Sequence, residues 1–178
     1  MEIWTALAHY SFFETEKLLL RPLSFLDTTD FFEISSDQDN LSFVFPVCLK
    51  RSESDYLFVH SFLKEPLGIW GITEKNSHRL IGVIRLENID EHHSSSEIGY
   101  FMNAKFRNKG YMTEALKNIV LLAFDELGLT ELNLLTHLEN EASQHVALNA
   151  GFRCISRFKG SDRYNHRIRQ YLAYQLKK

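Results

Sequence analysis

The sequence is poor in cysteine and proline and has no long apolar run. Its 178 residues include two cysteines and three prolines. Cys48 and Cys154 lie far apart, so they form neither a CxxC motif nor a metal-ligand spacing, and isolated thiols are typical of a reducing compartment. No apolar run approaches the roughly 18 to 20 residues that span a bilayer, and the first residues do not resemble a signal peptide. We therefore expect a cytoplasmic protein with no membrane partner.

An excess of charge of one sign is also missing. The net charge is −3, and acidic and basic residues are mixed along the whole chain. A protein that binds nucleic acid needs a concentrated basic face for the phosphates, so a nucleic-acid partner is not expected. The chain is 44% hydrophobic and has no Pro/Gly-rich linker, and its length suits one core and is short for two. Residues 1–178 are predicted to form a single domain.

The apolar periodicity predicts an α/β chain with a mixed sheet. Segments with strand character alternate with segments in which apolar residues recur at helical spacing. Pro22, Pro46 and Pro66 lie where elements should end, and Gly128 follows the longest predicted helix. The predicted strands are 17–21, 67–73, 80–88, 97–103, 132–137, 152–158 and 170–176, and the predicted helices start at Asp27 and Ser52 or span 113–127 and 141–149.

One loop has the composition of an anion-binding site. The stretch RNKGYMTEAL, residues 107–116, places Arg107, Lys109 and Gly110 directly before the longest predicted helix. The free N–H groups and the positive dipole end of that helix favour a phosphate, and a glycine lets the backbone approach it closely. The spacing fits neither the P-loop GxxxxGK[ST] nor the dinucleotide motif GxGxxG. A basic turn before a helix is also often a solvated loop, so this stretch alone leaves both interpretations open.

A second stretch, one helix and one strand later, makes the interpretation more specific. ENEASQHVALNAGF, residues 139–152, has Asn140 at a strand end, Ser143 three residues later, and Gly151 with Phe152 after a helix. Together with TEKLLLRPL, SEIGYFM and GYMTEAL, in this order, it resembles the GNAT superfamily of N-acetyltransferases. More narrowly, it resembles the RimJ/RimL-type branch, which contains ribosomal-protein N-terminal acetyltransferases. The resemblance covers about residues 15–176.

The resemblance implies a fold, a reaction and a donor. The implied fold is the acyl-CoA N-acyltransferase fold, α/β with a central twisted mixed sheet that is splayed at the coenzyme A site and flanked by helices. The implied reaction is direct transfer, in a ternary complex, of the acetyl group of acetyl-CoA to a primary amine of a small molecule or a protein N-terminus. No metal is implied, and a homodimer is allowed. The alternative is a non-catalytic acyl-CoA-binding or regulatory module on the same fold.

The resemblance also assigns residues to the coenzyme. Asn140 and Ser143 would bind the pantetheine or its thiol end from the far lip of a cleft. The strand before the loop would lie along the pantetheine arm, because splayed strands leave backbone amides with which the pantetheine amides can pair. The loop would hold the diphosphate through its backbone N–H groups. The residues so assigned are Tyr100, Phe101 and Met102 in the strand, and Arg107, Asn108, Lys109, Gly110, Tyr111, Met112 and Thr113 in the loop.

Two positions depart from the pattern of the family. Met112 stands where the loop pattern has Gly or Ala, and its bulk would crowd the diphosphate unless it points into the core. Ala147 stands where many members have a tyrosine, seven residues after the asparagine, that protonates the leaving thiolate. A tyrosine general acid is therefore not expected from this helix, and the RimJ/RimL branch usually lacks it too.

The residues that would carry the chemistry have alternatives. Acyl transfer to an amine needs positioning, an N–H group for the developing oxyanion and a route for the amine proton. Glu97 is the candidate base, directly or through a water, but it is equally a solvated charge at a strand end. Ser143 is the candidate donor to the thiolate, or a hydroxyl that satisfies a helix start. The candidate oxyanion donor is the backbone N–H of Phe101 or Met102.

Aromatic residues are frequent in the first quarter of the chain. Core packing is the favoured interpretation, because aromatic side chains carry much of the buried area of any core. The alternative is that they line the pocket of the acceptor. These residues are Trp4, Tyr10, Phe12, Phe13, Phe31, Phe32, Phe43 and Phe45.

Overall fold

The protein forms one eight-stranded sheet with helices on both faces. The computed structural model describes residues 1–38 and 44–178, so Phe43 lies outside the described residues. The strands are β1 Phe13–Glu14, β2 Leu18–Arg21, β3 Ile69–Glu74, β4 Leu80–Asp90, β5 Ser95–Met102, β6 Glu131–His137, β7 Arg153–Ser161 and β8 Ile168–Lys177. The helices are α1 Ile3–His9, α2 Thr28–Ser35, α3 Arg51–Phe58, α4 Tyr111–Asp125 and α5 Glu141–Asn149.

The order of strands confirms the predicted mixed sheet. It is β1-β2-β3-β4-β5-β6-β8-β7, and the parallel pair is β5 with β6, while the other neighbours are antiparallel. Each predicted strand corresponds to one of β2 to β8, and α5 has the predicted bounds. The last hairpin differs, because β7 and β8 extend further than predicted and leave a short turn, residues 162–167, between them.

Three helices differ from the sequence prediction. α4 spans Tyr111–Asp125, two residues earlier at each end than the predicted 113–127. No helix was predicted for α1, where the Glu2 carboxylate accepts the backbone N–H groups of Trp4 and Thr5 at 2.8 and 3.0 Å and so caps the first turn. For α3, the predicted start at Ser52 is one residue late. The capping carboxylate there is Glu53, which accepts backbone N–H groups at the helix start. α3 then continues as a π-turn over Val59–Leu63.

The two faces of the sheet carry separate hydrophobic clusters. On one face, side chains such as Ile98 and Leu134 pack with α1, α4 and α5 in the larger cluster. On the other face, Phe101 packs with phenylalanines of α2 and α3, and the ring centroids of Phe31 and Phe101 are 6.1 Å apart. We refer to these as the α4–α5 face and the α2–α3 face.

The early aromatic residues therefore divide between core and surface. Phe31 and Phe45 are buried in the cluster of the α2–α3 face, which confirms core packing for them. Trp4 and Phe12 are 43% and 53% exposed. Phe45 also borders the cleft between β5 and β6, so for that residue a place in the acceptor pocket stays a prediction.

β5 and β6 pair only at their first residues and then separate. The last pair is Glu97 with Asn133. β5 continues to Met102 and β6 to His137, and within the described residues no ladder joins them beyond the last pair. The separation confirms the predicted splay. We call the opening the fork, with its apex at Glu97 and Asn133.

Gly82 keeps β4 close to the β5 arm of the fork. A Cβ atom at Gly82 would lie 2.6 Å from the Phe101 carbonyl oxygen, whereas at Gly99 the nearest atom would be 3.7 Å away. We expect Gly82→Ala to lower the free energy of unfolding by about 1 to 3 kcal/mol, the usual cost of overpacking, and the control Gly99→Ala to lower it less. Urea unfolding followed by circular dichroism measures both. Equal losses in the two variants would contradict the close approach.

Candidate active site

A cleft of about 650 Å³ opens between the arms of the fork. Its walls come from β4 and β5, from the end of β6 and the start of α5, from α3, and from the turn between β7 and β8. Its volume lies in the range of roughly 300 to 1,000 Å³ that is usual for small-molecule and cofactor sites. Several polar side chains border it, which gives the cleft the composition of a site for chemistry.

Side-chain alternation places these polar groups on both faces of the sheet. Glu97 and Asn133 form a pair, and every second residue along a strand lies on the same face. Phe101 and His137 therefore share the α2–α3 face with them. Tyr100 lies on the opposite face, where its side chain packs against the larger cluster and its hydroxyl reaches α5. The fork is consequently bordered by polar groups on both faces of the sheet.

The strand register decides which backbone amides face the fork. Asn103 donates its N–H to the carbonyl of Ile81 at 2.8 Å, so its N–H points to β4. N–H directions alternate along an antiparallel strand, which directs the N–H of Phe101 to β4 as well. The N–H groups of Tyr100 and Met102 are directed toward the fork. Of the two candidate oxyanion donors, the register therefore favours Met102 over Phe101.

The loop before α4 has the features that a diphosphate site needs. Asn108 and Gly110 have φ of 59° and 78°, in the left-handed region, so the chain turns sharply into the helix. Gly110 immediately precedes the helix, and in the described part of the chain no side chain caps its first turn. The first N–H groups of a 15-residue helix thus open onto the loop. Arg107 and Lys109 stand beside them.

Met112 does not crowd this loop. Its side chain is 6% exposed and belongs to the core cluster of the α4–α5 face. The start of α4 is also anchored to the sheet, because the Tyr111 hydroxyl donates to the Glu74 carboxylate at 2.5 Å and Glu114 accepts the backbone N–H of Lys17 at 2.8 Å. The substitution of Gly or Ala by Met112 is therefore absorbed by the core.

The start of α5 carries a cap and a pair of hydroxyls. Asn140 Oδ1 accepts the N–H of Ser143 at 3.2 Å, so Asn140 provides the helix cap. The Ser143 hydroxyl donates to the Tyr100 hydroxyl at 3.2 Å, and the latter donates to the Ser143 carbonyl oxygen at 3.0 Å. Burial raises the pKa of Tyr100 well above its ordinary value, so the phenol stays protonated near neutral pH. The Ser143 hydroxyl thus faces β5 and does not cap the helix.

Glu97 lies at the apex of the fork and borders the cleft on the α2–α3 face. Its partner on β4 is Glu87, which forms an ion pair with Arg85. The guanidinium of Arg85 also lies 5.3 Å from the ring centroid of Phe62. The charge of Glu87 is therefore compensated locally, while Glu97 is half-buried beside the cleft.

The structure adds two residues that the sequence analysis did not select. His137 ends β6 and Asp162 opens the turn between β7 and β8; they are 7% and 6% exposed. His137 Nε2 and Asp162 Oδ2 are 3.7 Å apart, and both residues border the cleft. The available sequence signal was a histidine at a strand end three residues before Asn140. Its carboxylate partner is distant in sequence, so the fold alone brings the pair together.

Residues 1–38 and 44–178 offer neither a metal site nor a membrane-spanning helix. No group of three or more His, Cys, Asp or Glu residues there is placed to hold a metal ion. No helix in the same two ranges has the length and the apolar character for a membrane crossing. Cys48 is buried and Cys154 is exposed, and both are free thiols.

Comparison with known proteins gives consistent matches. The acetyltransferase (GNAT) domain family matches residues 17–153. The N-acetyltransferase YoaA of Bacillus subtilis (strain 168) is 27% identical over 143 residues, or 78% of this chain and 81% of YoaA. YdaF of the same organism, which is named a ribosomal N-acetyltransferase, is 36% identical over 73 residues, or 41% of this chain and 40% of YdaF. A GNAT-family acetyltransferase from Bacillus anthracis has a similar crystal structure, with a TM-score of 0.83 and 24% identity over 93% of this chain and 98% of that chain.

The forked sheet and its cleft define an acyltransferase fold, and the family match extends over most of the chain. The chain belongs to the GNAT family of acetyltransferases. It is an acetyl-CoA-dependent N-acetyltransferase, as the family match and the relatives indicate. The resemblance drawn from the short motifs is therefore confirmed at the level of family, fold and enzyme class.

The hydroxyl pair of Tyr100 and Ser143 should contribute to stability. Tyr100→Phe removes both hydrogen bonds, so we expect it to lower the free energy of unfolding by about 1 kcal/mol. Tyr56→Phe is the control, because the Tyr56 ring is 66% exposed. Urea unfolding of the two variants measures the difference. An unchanged free energy for Tyr100→Phe would show that the pair does not hold β5 to α5.

Proposed function

We propose that this enzyme acetylates a primary amine by direct transfer from acetyl-CoA in a ternary complex, and that the amine belongs to a protein N-terminus or a small molecule. The fork carries the proposal, because β5 and β6 separate there and polar groups border the gap on both faces of the sheet. The donor would enter from the α4–α5 face and the acceptor from the α2–α3 face. Both reactants could then be bound in the fork at the same time, as a ternary complex requires. The similarity to YdaF supports the RimJ/RimL-type branch and, with it, a protein N-terminus.

The donor side uses the loop, β5 and the start of α5. The backbone N–H groups from Asn108 to Thr113 would bind the diphosphate, with Arg107 and Lys109 adding positive charge. The backbone groups of β5 that face the fork would pair with the pantetheine amides. Asn140 and Ser143 would bind the arm from the opposite lip.

The chemistry then needs an oxyanion donor and a proton donor for sulfur. The amine nitrogen attacks the thioester carbon, and the N–H of Met102 would stabilise the negative charge on oxygen. When the C–S bond breaks, the Ser143 hydroxyl would protonate the thiolate. Tyr100 holds that hydroxyl in place through the hydrogen bond between them.

Glu97 would take the first proton of the incoming amine, which arrives as an ammonium ion. Its position at the apex is four residues from Phe101, or about 13 Å along an extended strand. Glu97 therefore acts through water in this proposal. Its negative charge, next to the locally compensated Glu87, also favours an ammonium ion in the cleft.

The donor site predicts a matched pair of glycine variants. Gly110 and Gly128 lie at opposite ends of α4 with φ of 78° and 71°, and a Cβ atom at either would meet nothing within 4 Å. A glutamate at position 110 would repel the diphosphate. A glutamate at position 128 is the control, because it adds the same charge and the same backbone strain at the opposite end of α4. In calorimetric titrations with acetyl-CoA, we expect Gly110→Glu to lose binding and Gly128→Glu to keep it.

Thermal unfolding gives an independent check of the same site. Acetyl-CoA at about 100 times its dissociation constant should raise the free energy of unfolding by roughly 2.7 kcal/mol in the unmodified protein and in Gly128→Glu. Equal loss of binding in both variants would point to a general effect of strain. Equal retention would place the diphosphate elsewhere.

Glu97→Gln should slow transfer in a pH-dependent way. A glutamine cannot accept a proton, so we expect kcat/KM to fall about 100-fold at about pH 7. An N-terminal amine has a pKa of roughly 8, so most of it is already deprotonated at about pH 9, and there the deficit should shrink about tenfold. The probes are peptides with free N-termini, spermidine, kanamycin and free amino acids. A deficit that does not change with pH would remove Glu97 from the first deprotonation.

The same panel tests the enzyme against the non-catalytic alternative. A binding module would take up acetyl-CoA and transfer nothing to any probe. Ser143→Ala separates the proton donor from the rest of the site. We expect it to lower kcat and to weaken acetyl-CoA binding only slightly, because Asn140 retains the helix cap and the loop and β5 would still hold the coenzyme. Unchanged kcat would exclude Ser143 as the donor.

A further inference from the structure

We propose that His137 is a second proton acceptor in this reaction. Its imidazole takes the proton that the amine nitrogen loses as the nitrogen bonds to the acetyl carbon, and Asp162 stabilises the resulting imidazolium ion. The inference rests on the proposed function, because it concerns the same amine and the same cleft. None of the residues that the sequence motifs identify has been assigned to accept this proton.

The strand register places His137 at the level of the reacting group. Counted from the last pair of the fork, Phe101 is four residues along β5 and His137 is four residues along β6. Both side chains lie on the α2–α3 face, from which the acceptor would enter. His137 therefore stands across the fork from the end of β5 that carries the Met102 amide. Glu97 lies at the apex, on the same face but further from this end.

The surroundings of His137 suit a neutral base. Burial lowers the pKa of His137 below its ordinary value, and the nearby carboxylate of Asp162 opposes that shift. Glu139, in the turn before α5, acts in the same direction as Asp162, and Arg169 on β8 acts against it. The Tyr171 ring packs against the imidazole with 4.6 Å between centroids. The imidazole is thus neutral near pH 7 and able to accept a proton.

Asp162 is held rigidly in its ionised form. Its Oδ1 accepts the backbone N–H groups of Tyr164 and Asn165 at 2.9 and 3.0 Å, and its own N–H donates to the Arg167 carbonyl at 2.8 Å. The hydrogen bonds from the backbone N–H groups of Asn165 and Tyr164 lower the pKa of Asp162, and they outweigh its burial, which acts in the opposite direction. Its other oxygen, Oδ2, faces His137 at 3.7 Å. A fixed negative charge thus stands where a positive charge would form.

Proton balance shows why two acceptors are needed. An ammonium ion that becomes an amide loses two protons from nitrogen. Glu97 would take the first through water, before attack, and pass it to solvent. The second leaves as the N–C bond forms and goes to His137, which releases it to solvent after the C–S bond has broken. Ser143 protonates the thiolate and regains a proton from solvent, so two protons are released, one is taken up, and the reaction releases one proton overall.

The pH dependence separates the two bases. We expect His137→Asn to lower kcat about 100-fold. Unlike the deficit of Glu97→Gln, this deficit should persist at about pH 9, because the second proton leaves only after attack, whatever the charge of the free amine. The measurement is kcat from about pH 5 to about pH 9 with the probe that the unmodified protein acetylates fastest. His92→Asn is the control, since His92 is exposed in the turn between β4 and β5.

Asp162→Asn gives a second, independent readout. Loss of the carboxylate removes the interaction that raises the pKa of His137, so the acidic limb of kcat should move to lower pH. NMR titration of the His137 ring should show the same shift without any acceptor. An acidic limb and a ring titration that both stay in place would overturn the role of Asp162. Acetyl-CoA binding by each variant confirms that it is folded.

The outcomes distinguish this inference from the proposed function. If the unmodified protein acetylates a probe and His137→Asn does so equally fast at every pH, the role of His137 is overturned and the proposed function stands. If His137→Asn recovers at high pH as Glu97→Gln does, both residues act on the first proton and the inference is also overturned. If the unmodified protein acetylates no probe, the proposed function and this inference fail together.

Discussion

The early separation of β5 from β6 is the constraint on which the rest of the site depends. Beyond the pair of Glu97 and Asn133, the backbone groups on the facing edges of β5 and β6 no longer form hydrogen bonds with each other. Backbone amides that are removed from water need hydrogen bonds, so an open fork is costly unless another chain of amides enters it. The pantetheine arm is such a chain. In the proposed mechanism the coenzyme would complete the sheet, and the gap that admits it would also let an amine reach the thioester from the opposite face.

The turns after the two strands hold the ends of the fork's arms in place. After β5, Asn103 donates its N–H to Ile81 and accepts the N–H of Lys105 at 3.0 Å. After β6, the carbonyl of His137 accepts the N–H of Asn140 at 3.0 Å. The end of each arm is thus held by hydrogen bonds, to β4 and the following turn for β5 and to the following turn for β6. The Tyr100 hydroxyl, which spans from β5 to α5, then fixes the distance between the arms.

Local patterns in the sequence predicted most of the fold. The strands, α4 and α5 follow from apolar periodicity, and Gly110 and Asn140 mark real turns because each has a local conformational task. α1 was missed because its apolar residues are interspersed with aromatic and polar ones in one short segment, and its cap is the carboxylate of Glu2. The start of α3 was predicted one residue too late, because several polar residues there could cap the helix and only the fold determines that Glu53 does so.

The candidate site could be predicted only in part, for a different physical reason. Residues on one element, such as those of the loop before α4, keep their spacing in the fold and can be found from a motif. The choice between Phe101 and Met102 depends on the register of β5 with β4, which is a long-range property. The pair of His137 and Asp162 depends on where the turn after β7 lies against β6. Chemistry that is divided between distant segments leaves no local pattern in either of them.

The fork contains a phenol although position 147 is an alanine and not a tyrosine. Ala147 is fully buried in the larger cluster, so a tyrosine there would displace its neighbours. The phenol comes instead from Tyr100 on β5, and its oxygen lies 3.2 Å from the Ser143 hydroxyl on the same helix. Strand and helix together thus bring two hydroxyls to the lip where the thiol end would lie. The raised pKa of Tyr100 makes it a poor source of protons but a stable partner that holds Ser143. In the proposed mechanism, the absence of a tyrosine from α5 does not leave the fork without a proton donor, because the serine would take that task and the tyrosine of β5 would position it.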